Sequence, residues 1–325
     1  MRTKVKQNYF DGQPVYVGID YHKKSWKVSI MGEQYEHKTF SQDPDPDQLY
    51  RYLEKNFPGG EYKAVYEAGF SGFGACRRLR ELAIDCIVIH PADVPTNQRE
   101  RLQKSDKSDC RKLARSLRNG EIKPIHIPEE KLEADRALVR QRFRVVKELA
   151  KTKNRVKSFL DQFDIIIPEI FSTEQTRHWS KPYLNWLEQL SLQQKSQRQV
   201  LDNYIRLGMM IRKELLILNR QIRELSNEPH YRSNCRLLLT VPGVGIITAM
   251  SFLVQIGDIN RFGVLDELNS YVGLIPSMYG SGDRVETGKM IKRGRKMLKI
   301  MLIEASWVSV RVDPAMMVKF NELTI

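Results

Sequence analysis

The chain has 325 residues, and its 53 Lys and Arg against 39 Asp and Glu leave a formal net charge of +14. This length suffices for two or three domains, and the charge indicates polyanionic partners or an acidic membrane surface. No run of about eighteen apolar residues exists to cross a membrane, and no signal-peptide core is present at the N-terminus. The four cysteines lack paired spacing, which favours reduced thiols over structural zinc. We therefore expect a cytoplasmic protein that does not bind membranes.

The first 127 residues alternate between short apolar runs and amphipathic segments. Runs of β-branched and alternating apolar residues predict five strands, and helical periodicity predicts three helices. The first three strands are joined by short turns, and strands and helices alternate after them, so we expect a mixed sheet with helices on its faces. The ribonuclease H-like fold has this order of elements. The predicted strands span 15–20, 25–31, 35–40, 62–67 and 85–90, and the predicted helices span 45–56, 72–83 and about 106–118.

Long helical periodicity replaces this alternation from about residue 129. Apolar residues recur mostly at spacings of three, four and seven within 129–163 and again within 199–226, which predicts a helical hairpin or a coiled-coil dimer arm. Between 131 and 157 there are ten Lys or Arg against three acids. This excess is consistent with a solvated face, but its one-sidedness favours a track for a phosphate backbone. The candidates for that contact are Arg140, Arg144, Lys151 and Arg155.

A third region begins near residue 229, where an apolar run is interrupted by Val241-Pro242-Gly243-Val244-Gly245 and then resumes. The interruption resembles the hairpin of a helix-hairpin-helix motif. Gly243 and Gly245 would let backbone amides approach a DNA phosphate beside the positive end of the following helix. An ordinary turn between two helices is the alternative.

Four carboxylates stand at the ends of predicted elements. Asp20 and Glu67 end apolar strands, and Asp106 and Asp109 lie three residues apart at the start of a helix. Mg²⁺ prefers carboxylate oxygens together with substrate phosphates, so this set predicts a metal-dependent phosphoryl-transfer site. Surface carboxylates or helix caps are the alternative, above all for Asp106 and Asp109.

A serine between two glycines follows in the third region. We predict that Ser281 is exposed on a mobile loop and acts as a nucleophile toward a phosphodiester. Nearby cations would neutralise the negative charge that develops during the attack. A flexible loop before a basic helix is the alternative. No histidine lies nearby in sequence to act as its base, although His22 could lie beside Asp20. The cations that follow the serine are Arg284, Lys289, Lys292, Arg293, Arg295 and Lys296.

Taken in order, these motifs resemble the transposases of insertion-sequence family 110, which are DEDD recombinases with an additional catalytic serine. The resemblance covers nearly the whole chain and rests on five ordered motifs. They are Val17-Gly18-Ile19-Asp20, Tyr66-Glu67-Ala68-Gly69, Lys104-Ser105-Asp106-Lys107-Ser108-Asp109-Cys110-Arg111, Val241-Pro242-Gly243-Val244-Gly245, and Gly273-Leu274-Ile275-Pro276 leading to Ser281-Gly282. It implies a RuvC-like domain at 1–127, a helical coiled-coil region at 128–228, and a mainly helical transposase domain at 229–325. Asp20, Glu67, Asp106 and Asp109 would then hold Mg²⁺ (or Mn²⁺).

The resemblance also implies partners. Ser281 would become linked to a 5′ phosphate of DNA, and a structured noncoding RNA, the bridge RNA, would pair with donor and target DNA while the protein binds backbone and shape. Strand exchange would require a dimer or a tetramer in the cytoplasm, associated with the nucleoid when active.

Two alternatives stay open. One is a RuvC-like junction resolvase that hydrolyses DNA with water and metal ions, without using Ser281. The other is a truncated, inactive transposase that binds nucleic acid, because family members usually extend some tens of residues beyond the equivalent of Asp313. Asp283 and Arg284 also differ from the small polar residues expected after the serine.

Overall fold

The computed structural model describes residues 10–95, 106–171, 179–281, 284–291 and 293–324, and within these it leaves the side chains of 106, 107, 279–281, 284 and 285 undescribed. The chain forms two compact units, Met1–Ile127 and Pro128–Ile325, which are treated separately below. Among the described residues, no helix is long and apolar enough to cross a membrane.

The first unit is built on a five-stranded mixed sheet with the order β3-β2-β1-β4-β5. The pairs β1–β2 and β2–β3 are antiparallel, whereas β4 and β5 run parallel to β1. This arrangement confirms the predicted mixed sheet, with each strand within two residues of its predicted bounds. The strands are β1 (Pro14–Tyr21), β2 (Trp26–Met31), β3 (Glu36–Gln42), β4 (Glu61–Glu67) and β5 (Asp85–Ile89).

Helices cover both faces of this sheet, because alternate residues of each strand point to opposite sides. One face carries Val17 and Ile19 and packs against α1 (Pro46–Asn56) and α2 (Gly74–Glu81). The other face carries Val65 and Ile89 and packs against α3 (Asp106–Arg118). A short 3-10 helix, Pro91–Asp93, follows β5. Burial on both faces explains why the strands are nearly continuous apolar runs.

Gly18 is the point at which α3 lies closest to β1. A Cβ atom at this position would lie 2.1 Å from the carbonyl oxygen of Cys110 and 2.5 Å from the amide nitrogen of Ala114. Both atoms belong to the backbone and do not rotate away, so only glycine permits the observed distance between helix and sheet. Position 18 therefore determines how α3 lies over the end of β1.

We expect Gly18→Ala to lower the free energy of unfolding by about 2 kcal/mol or more, because the helix must shift or strain to accept the methyl group. Urea denaturation followed by circular dichroism measures the change. Gly74→Ala is the matched control, since a Cβ there meets nothing within 4 Å and the residue begins a helix. An unchanged midpoint in Gly18→Ala would contradict this account of the contact.

Two long helices, α4 (Glu130–Gln162) and α6 (Lys195–Ser226), pack along each other in the second unit, as the heptad spacing predicted for a helical hairpin. The connection between them, for which the periodicity predicts no element, contains the 3-10 helix Glu169–Phe171 and the helix α5 (Lys181–Gln189). Tyr183 and Leu187 of α5 pack against Phe159 and Leu201. Helix α5 was missed because its apolar residues span little more than two turns.

Two further helices, α7 (Pro229–Leu239) and α8 (Ile246–Ile256), share a core with the long pair that contains Val139, Ile222 and Tyr231. A turn, residues 240–245, joins α7 to α8. Because this core crosses residue 228, a separate domain beginning at 229 stays a prediction. The remaining elements are the 3-10 helix Ile259–Arg261, α9 (Leu265–Val272), β6 (Pro276–Ser281), β7 (Arg284–Met290), α10 (Lys296–Val312) and α11 (Pro314–Thr324).

The expectation of a mobile loop around Ser281 is wrong. Strands β6 and β7 form an antiparallel hairpin whose backbone register pairs Ser281 with Arg284 and Pro276 with Met290. The strand pattern was hidden because none of the hairpin side chains that the structure describes is buried, and Met278 and Met290 are both exposed. Without burial on one side, a two-residue periodicity does not appear in the sequence.

Candidate nucleic-acid active site

Two of the predicted acids lie side by side at one edge of the sheet. The parallel register of β1 and β4 ends with Ile19 opposite Tyr66, and Asp20 and Glu67 are the next residues on each strand. Side-chain alternation gives Asp20 the same face as Gly18 and gives Glu67 the same face as Val65. Gly18 and Val65 both contact α3. Asp20 and Glu67 therefore face the side of the sheet that α3 covers.

Helix α3 brings the other two acids toward this edge. It begins at Asp106 and carries Asp109 in its first turn; the side chain of Asp106 is not described. Burial first, and then the negative charge of Asp20, raises the pKa of the Cys110 thiol to about 11. Asp20 is therefore close to the first turn of α3. The helix that carries Asp109 therefore starts near the carboxyl end of β1.

The chemistry of this edge suits a hard divalent cation. Its donors are carboxylates, and His22 Nε2 lies 3.1 Å from Asp20 Oδ2, which orients that carboxylate. Within the described side chains, no group of three or more His, Cys, Asp or Glu is arranged closely enough to hold a metal ion. A divalent cation held here would therefore need phosphate oxygens of the substrate to complete its ligands.

Ser281 ends β6 at the tip of the hairpin, about 17 Å from Pro276 at roughly 3.4 Å per residue. Arg284 pairs with it across the two strands, whereas the carbonyl of Lys289 accepts a hydrogen bond from Ser277 Oγ near the other end of the hairpin. Lys289 is close to Ser281 in sequence, but the hairpin places the two residues near opposite ends of its strands. The side chains of Ser281 and Arg284 are not described, and Lys292 lies outside the described residues.

The base of the hairpin is held by two glycines with positive φ. Gly273 has φ +89° and Gly294 has φ +117°, and a Cβ at Gly294 would lie 2.6 Å from the amide nitrogen of Gly273. The backbone amide of Arg295 also donates to the carbonyl of Val272 at 3.1 Å. This contact gathers the predicted cations at the base of the hairpin and the start of α10. Lys289, Arg293, Arg295 and Lys296 are all exposed.

The two glycines of the predicted phosphate-binding turn have different surroundings. Gly243 has φ +82°, and a Cβ there would lie 2.2 Å from the carbonyl oxygen of Ala305 on α10. Its requirement for glycine is thus explained by packing inside the chain. Gly245 precedes α8 as its N-cap, and a Cβ there meets nothing within 4 Å. Of the two, Gly245 leaves its backbone open to a ligand.

A small cavity of about 240 Å³ adjoins Gly245 and the first turn of α8. Arg142 and Arg223 also line it, and Arg142 Nε donates to Asn219 Oδ1 at 2.7 Å. Burial lowers the pKa of Arg142, as expected for a cation partly removed from water. The cavity therefore combines a helix N-terminus with two guanidinium groups, which is a suitable environment for a phosphate.

The predicted basic track follows one face of α4. Arg144, Lys151 and Arg155 are exposed at helical spacing, and Lys147 between them completes the face. Arg140 is at the same face but half-buried, and its Nη2 donates to Gln255 Oε1 at 3.1 Å. The face from Arg140 to Arg155 spans about 22 Å at 1.5 Å per residue, enough to follow several phosphates of one strand.

A cluster of arginines that the sequence did not reveal surrounds the carboxyl end of α8. Arg136 is only 5% exposed and donates to the carbonyls of Val254 and Gln255. Arg261 donates to the carbonyl of Ile256 at 3.1 Å. These guanidinium groups cap the last turn of the helix, where the dipole is negative. The signal was concealed because Arg136 occupies a core-facing position of α4, where an apolar residue is expected.

The same cluster encloses Tyr271. The guanidinium carbons of Arg261 and Arg295 lie 4.5 Å and 4.9 Å from the centre of its ring. Burial alone would raise the pKa of Tyr271, but Arg295, Arg136 and Arg261 lower it below its usual value. Burial and the neighbouring cations likewise lower the pKa of Arg140. This like-charge cluster joins the base of the hairpin to the basic face of α4 and favours a bound anion at its exposed edge.

Comparison with known proteins defines the class. A DEDD model described as "Transposase" matches residues 17–165, and a model described as "Transposase IS116/IS110/IS902 family" matches residues 235–320. The y4qE protein of Sinorhizobium fredii, named as a transposase, is 29% identical over 304 residues, covering 91% of this chain and 72% of the relative. The transposase of insertion sequence element IS1533 from Leptospira borgpetersenii is 26% identical over 249 residues, covering 75% and 70%.

The chain is thus a transposase, an enzyme that acts on DNA and whose acidic domain is of a kind associated with divalent metal ions. It belongs to the IS110 family of insertion-sequence transposases. The two family models together match well over half of the chain and include both Asp20 and Ser281.

Proposed function

We propose that this transposase cuts and rejoins DNA through a covalent bond between Ser281 and a 5′ phosphate. In this proposal a ribonuclease H-like domain holds Mg²⁺ (or Mn²⁺) through Asp20, Glu67, Asp106 and Asp109, and a structured noncoding RNA selects donor and target DNA. The observation that carries the proposal is that β1 and β4 end side by side on the face of the sheet that α3 covers. Asp20 and Glu67, at these strand ends, therefore face the helix that carries Asp109 in its first turn.

The chemistry assigned to Ser281 is a transesterification. Its Oγ attacks the phosphorus, the Oγ–P bond forms, and the P–O3′ bond breaks; the proton of the serine is lost and the departing 3′ oxygen gains one. Attack by a second 3′ hydroxyl on the phosphoserine reverses these events and joins the new strand, so no hydrolysis is needed. A bound divalent cation would supply Lewis-acid stabilisation of the phosphoryl oxygens. The position of Ser281 at a hairpin tip supports this role because a tip can enter a nucleic-acid groove.

Nucleic acid is assigned to the second unit by its charge. The face of α4 formed by Arg144, Lys147, Lys151 and Arg155 is long enough to follow a backbone, and the exposed edge of the arginine cluster extends it. Such a surface recognises phosphates and shape without reading sequence. Such recognition is what a protein needs when base pairing with an RNA supplies the sequence specificity.

We expect Arg144→Ala and Lys151→Ala each to weaken binding of duplex nucleic acid at every sequence. Each substitution removes about one phosphate contact, so the slope of log K against log salt concentration falls by about 0.7–0.9. Fluorescence anisotropy across a salt series measures the slope. Lys157→Ala is the control, because Lys157 is exposed but lies outside the basic face, about 120° around the helix from Lys151. An equal change in slope for Lys157→Ala would contradict a localised track.

Assembly into dimers and tetramers is also part of the proposal. Leu207, Met210 and Ile217 are exposed on α6 at spacings of three and seven, and Met210 is 64% exposed. This spacing is typical of a coiled-coil seam, and it lies apart from the residues that pack against α4. A second copy of the helix would bury it.

The direct test of the proposed function uses the full chain with the noncoding RNA that flanks its reading frame, donor DNA, target DNA and Mg²⁺. A denaturing gel should show a protein–DNA adduct and, with time, rejoined strands. Omission of the RNA should abolish both products if the RNA selects the DNA. Nicked DNA without any adduct would overturn the serine mechanism and favour a hydrolytic nuclease.

A further inference from the structure

A cavity of about 560 Å³ opens between the last turns of α4 and the first turns of α6. Its volume lies within the range of about 300–1,000 Å³ that is usual for small-ligand sites. None of the lining side chains is a carboxylate, although the chain carries 39 Asp and Glu. The lining residues are Lys151, Asn154, Arg155, Ser158, Phe159, Gln162, Phe163, Ser196, Gln197, Val200 and Tyr204.

Three aromatic rings form the apolar part of this cavity. The ring of Phe159 lies 4.9 Å from that of Phe163 and 6.4 Å from that of Tyr204, both edge to face. Phe159 is buried in the core with α5, whereas Phe163 is 37% exposed. Phe159 therefore fixes the arrangement, and Phe163 presents an accessible ring. An accessible ring in a concave site is suited to stacking against a planar ligand.

Cations and amides provide the polar part. Lys151 and Arg155 are the last two members of the basic face of α4, so a backbone that follows this face arrives at the cavity. Asn154 and Gln162 are exposed beside them and carry both donors and acceptors. Gln197 Oε1 accepts a hydrogen bond from the backbone amide of Gln194, which holds the Gln197 side chain in place. Its NH₂ group is the donor that this side chain can offer to a ligand.

We infer that this cavity binds one unpaired nucleotide of the nucleic acid that lies along α4, with its base stacked on Phe163 and its phosphate on Arg155 and Lys151. The base must be unpaired, because bases inside a duplex are stacked on one another and do not enter a concave site. The inference rests on the proposed function in taking nucleic acid as the partner. Unpaired RNA and single-stranded DNA share the required chemistry.

A peptide or a second copy of the chain suits the cavity less well. Val200 is the single aliphatic side chain of the lining, whereas a groove for an amphipathic helix needs several at helical spacing. The lining itself contains no carboxylate, although Lys151 Nζ forms an exposed ion pair with Glu148 Oε1, outside the lining, at 2.7 Å. A phosphate can displace such a carboxylate because exposed ion pairs contribute little stability, and a polyanion offers phosphates at regular intervals.

The test measures the contribution of the base itself. Single strands of about twelve nucleotides, in RNA and in DNA, are compared by fluorescence anisotropy with an abasic strand of equal length. The full-length protein should bind the strand with bases at least about fivefold more tightly than the abasic strand. Phe163→Leu should remove that difference, and Phe163→Tyr should keep it. Retention of the full difference in Phe163→Leu would overturn the inference.

Two matched substitutions separate the roles of base and phosphate. Arg155→Ala should weaken binding of both strands about equally, whereas Lys157→Ala, outside the basic face of α4, should leave both unchanged. Binding of a duplex should be the same for Phe163→Leu and the parent, which also shows that the variant is folded. If Phe163→Leu does not fold, Asn154→Ala with Gln162→Ala, both at exposed positions, should reduce the base-dependent difference instead.

Photocrosslinking gives the location independently. A strand containing 4-thiouridine should crosslink to peptides that contain residues 159–163 or 196–204, and crosslinks found only elsewhere would overturn the inference. The inference would also be overturned if Phe163→Leu changed the mass of the oligomer but left strand binding unchanged. Phe163 would then belong to an interface between copies of the chain. None of these measurements requires DNA cutting. If the protein formed no adduct but still bound the strand with bases more tightly than the abasic strand, the result would count against the proposed function and not against this inference.

Discussion

Ser281→Ala is expected to abolish the covalent protein–DNA adduct and all strand exchange while leaving binding of RNA and DNA unchanged. The substitution removes the oxygen that attacks the phosphorus in the first step of the proposed mechanism, so the loss should exceed about a thousandfold, as for other nucleophiles. The backbone of a strand end tolerates alanine, and the hairpin should persist. A denaturing gel of the reaction with labelled donor DNA measures the adduct.

Ser277→Ala is the matched control, because Ser277 lies on the same strand and its Oγ donates to the carbonyl of Lys289 at 3.0 Å. This variant should still form the adduct, with at most a modest loss from the weakened hairpin. Free nicked DNA from Ser281→Ala at the parent rate would point to a water-using nuclease. Strand exchange retained in Ser281→Ala would remove the serine from the mechanism.

Asp20→Asn should lower the rate of adduct formation by at least about a hundredfold without lowering stability greatly, because the amide is nearly the same size as the carboxylate but carries no charge for a metal ion. The change also alters the hydrogen bond between Asp20 and His22. Isothermal calorimetry with Mg²⁺ or Mn²⁺ should show weaker binding by the variant. Adduct formation as a function of Mn²⁺ concentration gives a second measure.

Glu61→Gln serves as the control for Asp20→Asn, since Glu61 begins β4 at the edge of the sheet away from Glu67 and is exposed. It should leave both metal binding and adduct formation unchanged. Glu67→Gln should behave like Asp20→Asn if the two strand ends hold one site. Normal activity in Asp20→Asn, or an equal loss in Glu61→Gln, would show that the shared strand edge is not the metal site.

The mixed sheet was predictable from local sequence, because buried parallel strands are continuous apolar runs and the first polar residues stand at their ends. Asp20 and Glu67 were recognisable for that reason. The long helices were equally evident, since an apolar stripe at helical spacing predicts the packed pair α4 and α6. The family was also accessible from the order of the motifs, which does not depend on knowing how they pack.

Contacts between residues that are distant along the chain were visible only once the fold was known. The hairpin separates Lys289 from Ser281, although eight residues is a short distance along the chain. Gly243 must be glycine because a Cβ there would clash with the carbonyl oxygen of Ala305, which lies on another helix. Arg136 and Tyr271 belong to one cluster because both reach the end of α8. Local periodicity reports which face of an element is buried, but it contains no information on which distant side chains share that burial.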